Sequence, residues 1–174
     1  MHYDSMIAKL ICHGASRDGA IARMREALNA FVIRGIASNI GFQSALVSHP
    51  RFVSGQFTTA FIAEEYPKGF HPEDLVHENP EFLFAVAAAV HRTYRDRATR
   101  IEGQVPGYEL RIGEDFVVMG ARDEQPVAVR MVEGGCDVRM GEAKHELRFV
   151  WRFNDILMDG TYDGTPFAIQ VERV

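Results

Sequence analysis

Cysteine is scarce in this chain. Among 174 residues there are two, Cys12 and Cys136, far apart and each inside an apolar stretch, so neither a disulfide framework nor a Cys-x-x-Cys motif is available. Each reads as a buried free thiol, which fits a reducing compartment. Long hydrophobic runs are missing too. The longest, Phe82 to Val90, is about half of the ~20 residues that a membrane span needs. The N-terminus carries no basic segment followed by a cleavable apolar run, so neither a secretory signal nor a membrane anchor is expected. Acidic residues outnumber basic ones, 24 against 19, but the signs are interspersed. Without a basic stripe, neither nucleic acid nor an anionic membrane is expected as a partner.

Motifs for small-molecule chemistry are equally sparse. There is no Gly-x-Gly-x-x-Gly and no Gly-x-x-x-x-Gly-Lys segment, so nucleotide binding by these residues alone has no motif behind it. The seven histidines show no His-x-x-x-His spacing, which leaves metal binding without a ligand pattern. Cys12-His13 puts a nucleophile beside a base, but neighbours on a strand point to opposite faces. A core thiol next to a strand-end histidine is the plainer reading. Gly134-Gly135, Asp159-Gly160 and Asp163-Gly164 read as hairpin turns, and Glu64-Glu65 as a solvated helix face. On composition alone, Asp4 pairs with a nearby cation, and Lys9 lays its stem over apolar surface.

The residues that are present suffice for a sizeable core, with 47% apolar against 25% charged, in one or two domains. The first part reads as an alternating α/β segment. Met6 to Cys12 is a strand candidate, and Ser16 is an N-cap. Ile21, Met24, Leu28 and Phe31 then recur at helical spacing. "FVIRGI" reads as a second strand, and Ser38 as the cap of a short helix ending near His49-Pro50. A last helical turn covers Thr59 to Tyr66. Composition shifts at "YPKGFHPEDLVHENP", so residues 1–66 are taken as one domain and 67–79 as a linker.

The second part, residues 80–174, has a different period. Asn79 caps a helix with Pro80 in its first position, where the missing N–H costs nothing. From Phe82 to Val90 this helix is apolar on every side, then polar from His91 to Arg100, and a helix apolar all round must be enclosed by other structure. Six short alternating runs come after it from Asp115, separated by turn signals. In one of them Leu147, Phe149, Trp151 and Phe153 share a face opposite Glu146, Arg148 and Arg152, the pattern of an antiparallel meander buried on one side. The fold class is therefore α+β, an α/β segment followed by a barrel-like antiparallel meander around a long helix. The strand pattern still runs at Val174, which points to a piece of a longer polypeptide.

Residues 2–62 carry a specific set of motifs. They are Tyr3-Asp4-Ser5-Met6-Ile7-Ala8-Lys9-Leu10, Arg17-Asp18-Gly19-Ala20, Gly35-Ile36-Ala37-Ser38-Asn39 and Thr59-Ala60-Phe61-Ile62. This run resembles the end of the C-terminal domain of biotin carboxylase. The apolar helix and strand meander of residues 80–174 resemble, in order and pattern, the region of biotin-dependent acyl-CoA carboxylase α subunits, propionyl-CoA carboxylase among them, that joins the biotin carboxylase part to the carboxyltransferase partner. In that family a hook-shaped connection links a long helix to an antiparallel barrel, and here it is "IEGQVPGYELRIGED", residues 101–115.

The resemblance implies a set of expectations. Asp4 matches an acid near the biotin carboxylase active site and subunit interface. Thr59 falls near an apolar contact to the ATP adenine, where Thr departs from the family's Ile. Val105, Pro106, Tyr108, Leu110 and Ile112 of the hook are the candidate interface. The whole enzyme would use ATP, Mg²⁺, bicarbonate and biotin. The family residues that hold ATP, metal and bicarbonate precede these motifs, and the biotinylated Ala-Met-Lys-Met comes after the barrel. The chain alone is expected to bind none of these groups and to be non-catalytic. Its expected partners are the carboxyltransferase (β) subunit, the rest of the biotin carboxylase domain and the biotin carrier domain, in a bacterial cytoplasm or mitochondrial matrix. The alternative is an independent small-molecule-binding β-barrel, which predicts a ligand-sized cavity where the first reading predicts a helix-filled interior.

Overall fold

A serine side chain starts the first helix. Ser16 Oγ accepts the Gly19 N–H at 3.1 Å, supplying one of the partners that a helix N-terminus lacks, and α1 runs Arg17–Ala30 in the computed structural model. That structure describes residues 6–71, 79–120 and 123–172. The chain divides into two compact units, Met1–Val76 and His77–Val174. Residues 72–78 of the expected linker lie outside the described residues, as do Asp4 and Val174.

In the first unit α1 is followed by α2 (Ile40–Ser48), α3 (Pro50–Val53) and α4 (Phe61–Glu65). Ile21 and Leu28 of α1, Val47 of α2 and Phe61 of α4 are buried. Phe42 meets Tyr66 edge-on at 5.4 Å and Phe70 at 5.6 Å, the spacing at which aromatic rings attract beyond their area. Asn39, not Ser38, occupies the N-cap of α2, and its side chain makes no capping bond. Neither Met6–Cys12 nor Phe31–Ile36 forms a strand. A ladder needs a partner at hydrogen-bonding distance, and among the described residues of this unit there is none. Met6, Ile7 and Ile11 are exposed as a result, Ile11 to 78%. Cys12 is half-buried and not a core thiol.

The second unit opens as its sequence predicts. Asn79 Oδ1 accepts the Phe82 N–H at 3.0 Å, and the 20-residue helix α5 runs Pro80–Thr99. Six strands come next: β1 (Asp115–Met119), β2 (Glu124–Val132), β3 (Gly135–Met140), β4 (Ala143–Val150), β5 (Leu157–Tyr162) and β6 (Thr165–Gln170). They pair in chain order, each antiparallel to the next. Asp163 and Gly164 both have positive φ, 48° and 79°, the geometry of a two-residue hairpin turn. Asp159-Gly160 is not a turn. It lies inside β5, where Gly160 pairs with Phe149 and a Cβ would sit 2.0 Å from the Arg148 carbonyl oxygen, so the glycine permits close approach of two backbones.

The sheet packs on α5. His91 meets Phe116 of β1 at 5.5 Å and Phe82 meets Phe167 of β6 at 5.0 Å, so one helix touches both edge strands. Ala85, Val86, Ala88 and Ala89 lie in one cluster with Val127, Val129, Cys136, Val138, Leu147, Trp151 and Met158. The small alanines let the helix axis come close. Enclosure is one-sided, however. β1 and β6 do not pair among the described residues, so the sheet is open and not a closed barrel, and Ala87 remains exposed.

Candidate functional site

Between α5 and β1 the chain makes an ordered loop without regular secondary structure, residues 101–113. Its tip is Val105-Pro106-Gly107-Tyr108. Proline fixes φ near the value that the second position of a type II turn requires, and the third position needs positive φ, which glycine supplies without strain. Gly107 has φ 86°, and Tyr108 N–H donates to the Val105 carbonyl at 3.0 Å. The turn presents Val105, 63% exposed, and Tyr108, 85% exposed, to solvent. Pro106 is exposed beside them, while Leu110 and Ile112 are half-buried on the returning limb.

Side chains tie this loop down at both ends. Gln104 Nε2 donates to the Thr99 carbonyl at 2.7 Å and the Ile101 carbonyl at 3.1 Å, and its Oε1 accepts the Leu110 N–H at 2.8 Å. Arg92 Nη1 donates to Gly113 O at 2.9 Å and to Val129 O at 3.2 Å, while its Nε pairs with Asp96 at 2.8 Å. Glu109 Oε1 accepts the Gly107 N–H at 3.0 Å. Backbone N–H groups of Gly107 and of Glu109 itself favour the charged carboxylate and hold it below the usual range.

Groups with strongly perturbed titration lie elsewhere in this unit, in its core. Burial pushes the Cys136 thiol up to about 12. Burial, with the Asp163 and Glu81 charges, pushes the Tyr162 phenol up to about 12. Both are held protonated, which is the opposite of nucleophile activation. On the outer face of the sheet Arg130 and Arg148 each bind Asp137 at 2.9 Å.

In the first unit Thr59 is exposed in the turn before α4, and its neighbour Thr58 Oγ1 accepts the Ala60 N–H at 3.2 Å. Glu64 and Glu65 are not a free solvated face. Arg51 from α3 pairs with both, and the His49 Nε2 lies 3.3 Å from Glu65. The Arg51 hydrogen bond holds the Glu65 carboxyl below its usual value despite partial desolvation. Among the described residues, no three His, Cys, Asp or Glu side chains converge as a metal site requires.

Two family models match the chain in tandem. The biotin carboxylase C-terminal domain covers residues 1–64, and the propionyl-coenzyme A carboxylase BT domain covers residues 83–174. The propionyl-CoA carboxylase alpha chain of Ruegeria pomeroyi is 38% identical over the whole of this chain. The chain belongs to the propionyl-coenzyme A carboxylase BT domain family. The mitochondrial propionyl-CoA carboxylase alpha chain of Mus musculus is 30% identical over 98% of the chain, and biotin carboxylase 1 of Bacillus subtilis is 56% identical over 35% of it. The chain spans about a quarter of the length of the alpha chains, 26% and 24%.

Within this family framework the expected interface residues fall on one short loop. Val105, Pro106, Tyr108, Leu110 and Ile112 are brought together by the turn and its ties. Thr59 belongs to the other unit, and Asp4 lies outside the described residues. Sequence reasoning did not single out Gln104, Arg92 or Arg51. The Arg92–Asp96 spacing of four residues was a usable signal for a helix-surface pair. Gln104 gave none, because its bonds go to backbone groups that only the folded loop brings within reach.

Proposed function

We propose that this chain serves as part of the α subunit of an acyl-CoA carboxylase, propionyl-CoA carboxylase above all. Residues 101–113 dock the carboxyltransferase (β) subunit. The observation that carries this reading is the turn at Val105–Tyr108, whose large apolar side chains are held outward by a hydrogen-bonded loop. Exposed apolar groups on an ordered loop mark an interaction surface, because nothing in the loop's own packing requires their exposure. The match to the BT-domain model, which spans the loop, and the names of the relatives support the choice of partner.

The whole enzyme would carboxylate biotin with ATP, Mg²⁺ and bicarbonate and then transfer the carboxyl group to the acyl-CoA. The 174 residues contribute assembly and the tail of the biotin carboxylase domain. Asp4 and Thr59 lie toward the active site and the ATP adenine by resemblance. The rest of the biotin carboxylase domain and the biotin carrier domain are further partners. Bacterial and mitochondrial relatives support a bacterial cytoplasm or mitochondrial matrix, and no helix among the described residues is long and apolar enough to cross a membrane.

Co-purification tests the proposal. An α subunit carrying these residues should pull down the carboxyltransferase subunit, and replacing residues 102–113 with a Gly-Ser run should abolish this while leaving amide exchange in β2 and β3 native. Unchanged pull-down by the Gly-Ser variant overturns the docking role.

A further inference from the structure

The hook is shaped by one side chain that is not itself presented to a partner. We infer that Gln104 is the positioning residue of the docking loop, whose amide clamps the end of α5 to the returning limb at Leu110 and so sets the direction of Val105 and Tyr108. This inference rests on the docking role proposed above and deepens it.

Both donors of the amide and its oxygen are engaged. A helix C-terminus leaves carbonyl groups without partners. Both donated bonds of Gln104, to Thr99 O at 2.7 Å and Ile101 O at 3.1 Å, go to carbonyls there, and its single oxygen takes the Leu110 N–H at 2.8 Å. Only the primary amides of Gln and Asn carry this set, and Gln has one methylene more of reach. A primary amide offers two N–H donors and one acceptor oxygen on one planar group, at a position half-buried behind the turn. The loop residues between positions 104 and 110 include the whole exposed turn, so the clamp closes a small ring whose only large exposed apolar groups are Val105 and Tyr108. Gly103, with φ 82°, lets the chain leave the helix in the direction that the clamp requires.

Glutamate has the size of glutamine but brings no donor when ionised. Gln104→Glu would face two carbonyl oxygens and the negative end of α5, which disfavours the carboxylate and opens the clamp at neutral pH. Protonation restores one donor and should close it partly. This pH signature separates a donor role from simple space filling, which both forms of the side chain would satisfy equally.

The experiment uses the α subunit carrying this chain, mixed with the carboxyltransferase subunit, and compares wild type with Gln104→Glu, Gln104→Met and Tyr108→Ala. At pH 7.5, Gln104→Glu and Gln104→Met should each speed amide exchange at Leu110 about tenfold or more and weaken subunit association by a similar factor. Exchange in β2 and β3 should stay unchanged, which shows that the sheet is folded. On lowering the pH toward 5.5, Gln104→Glu should regain association relative to wild type and Gln104→Met should not. Faster Leu110 exchange with unchanged association, while Tyr108→Ala still abolishes assembly, overturns the role of Gln104 and spares the docking reading. Unchanged Leu110 exchange in both Gln104 variants overturns it as well. If Tyr108→Ala and the Gln104 variants all assemble normally, the docking reading itself falls and takes this inference with it.

Discussion

Leu147→Ala tests whether the sheet packs on α5 as a core. Leu147 sits on the inner face of β4 with 0% exposure, in one cluster with Ala85, Val86, Ala88 and Ala89 of the helix. Leu→Ala at a fully buried site removes about 3 kcal/mol or more, the transfer energy of the lost carbons plus a cavity term. A urea m-value of roughly 1.5 kcal/mol/M for a unit of this size turns that loss into a fall in the midpoint of about 2 M. The assay is built into the sequence. Trp151 is the single tryptophan, it is 9% exposed in the same cluster, and its Nε1 donates to the Asp155 carbonyl at 2.9 Å. Its fluorescence therefore reports unfolding of the second unit without a signal from the first. Val150→Ala is the control, because Val150 ends the same strand at 82% exposure and its truncation should change stability by no more than about 0.5 kcal/mol. A midpoint shift below about 0.5 M for Leu147→Ala, or equal shifts for the two variants, refutes the claim that this face is a core.

Two more outcomes rest on particular contacts. Gly160→Ala places a Cβ 2.0 Å from the Arg148 carbonyl oxygen, so the β4–β5 pairing must give way and the Trp151 urea midpoint should fall by the equivalent of about 1–3 kcal/mol. Asp137 is held below the usual carboxylate value by Arg130 and then Arg148. Its stabilising effect is thus full above the unfolded value of about 3.9 and is lost as pH falls through the lower folded value. Asp137→Asn should flatten that part of the acid-unfolding curve, read by the same fluorescence, and an unchanged acid limb would contradict it.

The elements legible in the sequence are those fixed by local chemistry. Ser16 and Asn79 cap the helices they precede because the capping bond spans only three residues, and Pro80 can start a helix whatever lies beyond it. The alternation in "ELRFV" fixes which side chains of β4 face inward, because period two leaves no choice once one face is buried. The readings that failed depended on partners. Met6–Cys12 has the composition of a strand, but a strand is a relation between two segments, and the described part of the first unit contains no second one. Asp159-Gly160 has the composition of a turn, but the glycine answers to the Arg148 backbone across the ladder, a contact that sequence proximity does not reveal. The helix apolar on every side is covered on one side only, because closure of the sheet decides enclosure and periodicity does not. In the candidate site, Val105, Pro106, Tyr108, Leu110 and Ile112 are named through the resemblance to the carboxylase family, whereas the Gln104 clamp is not named at all.

The difference between those two kinds of residue bears on how the hook would bind. A contact residue gives area to an interface; a clamp changes what binding costs. Ordering the backbone of a free loop costs about 1–2 kcal/mol per residue, so fixing four residues, Val105 to Tyr108, on docking would cost several kcal/mol, enough to weaken association by a factor of roughly 10³ or more. In this loop that cost is met during folding, by the Gly107 and Tyr108 N–H bonds within the turn and by the three bonds of Gln104 behind it. Exposure of Tyr108 then does not imply mobility. A loop whose shape is fixed by such bonds would suit the subunit docking proposed above, because binding would add contacts to a shape already made.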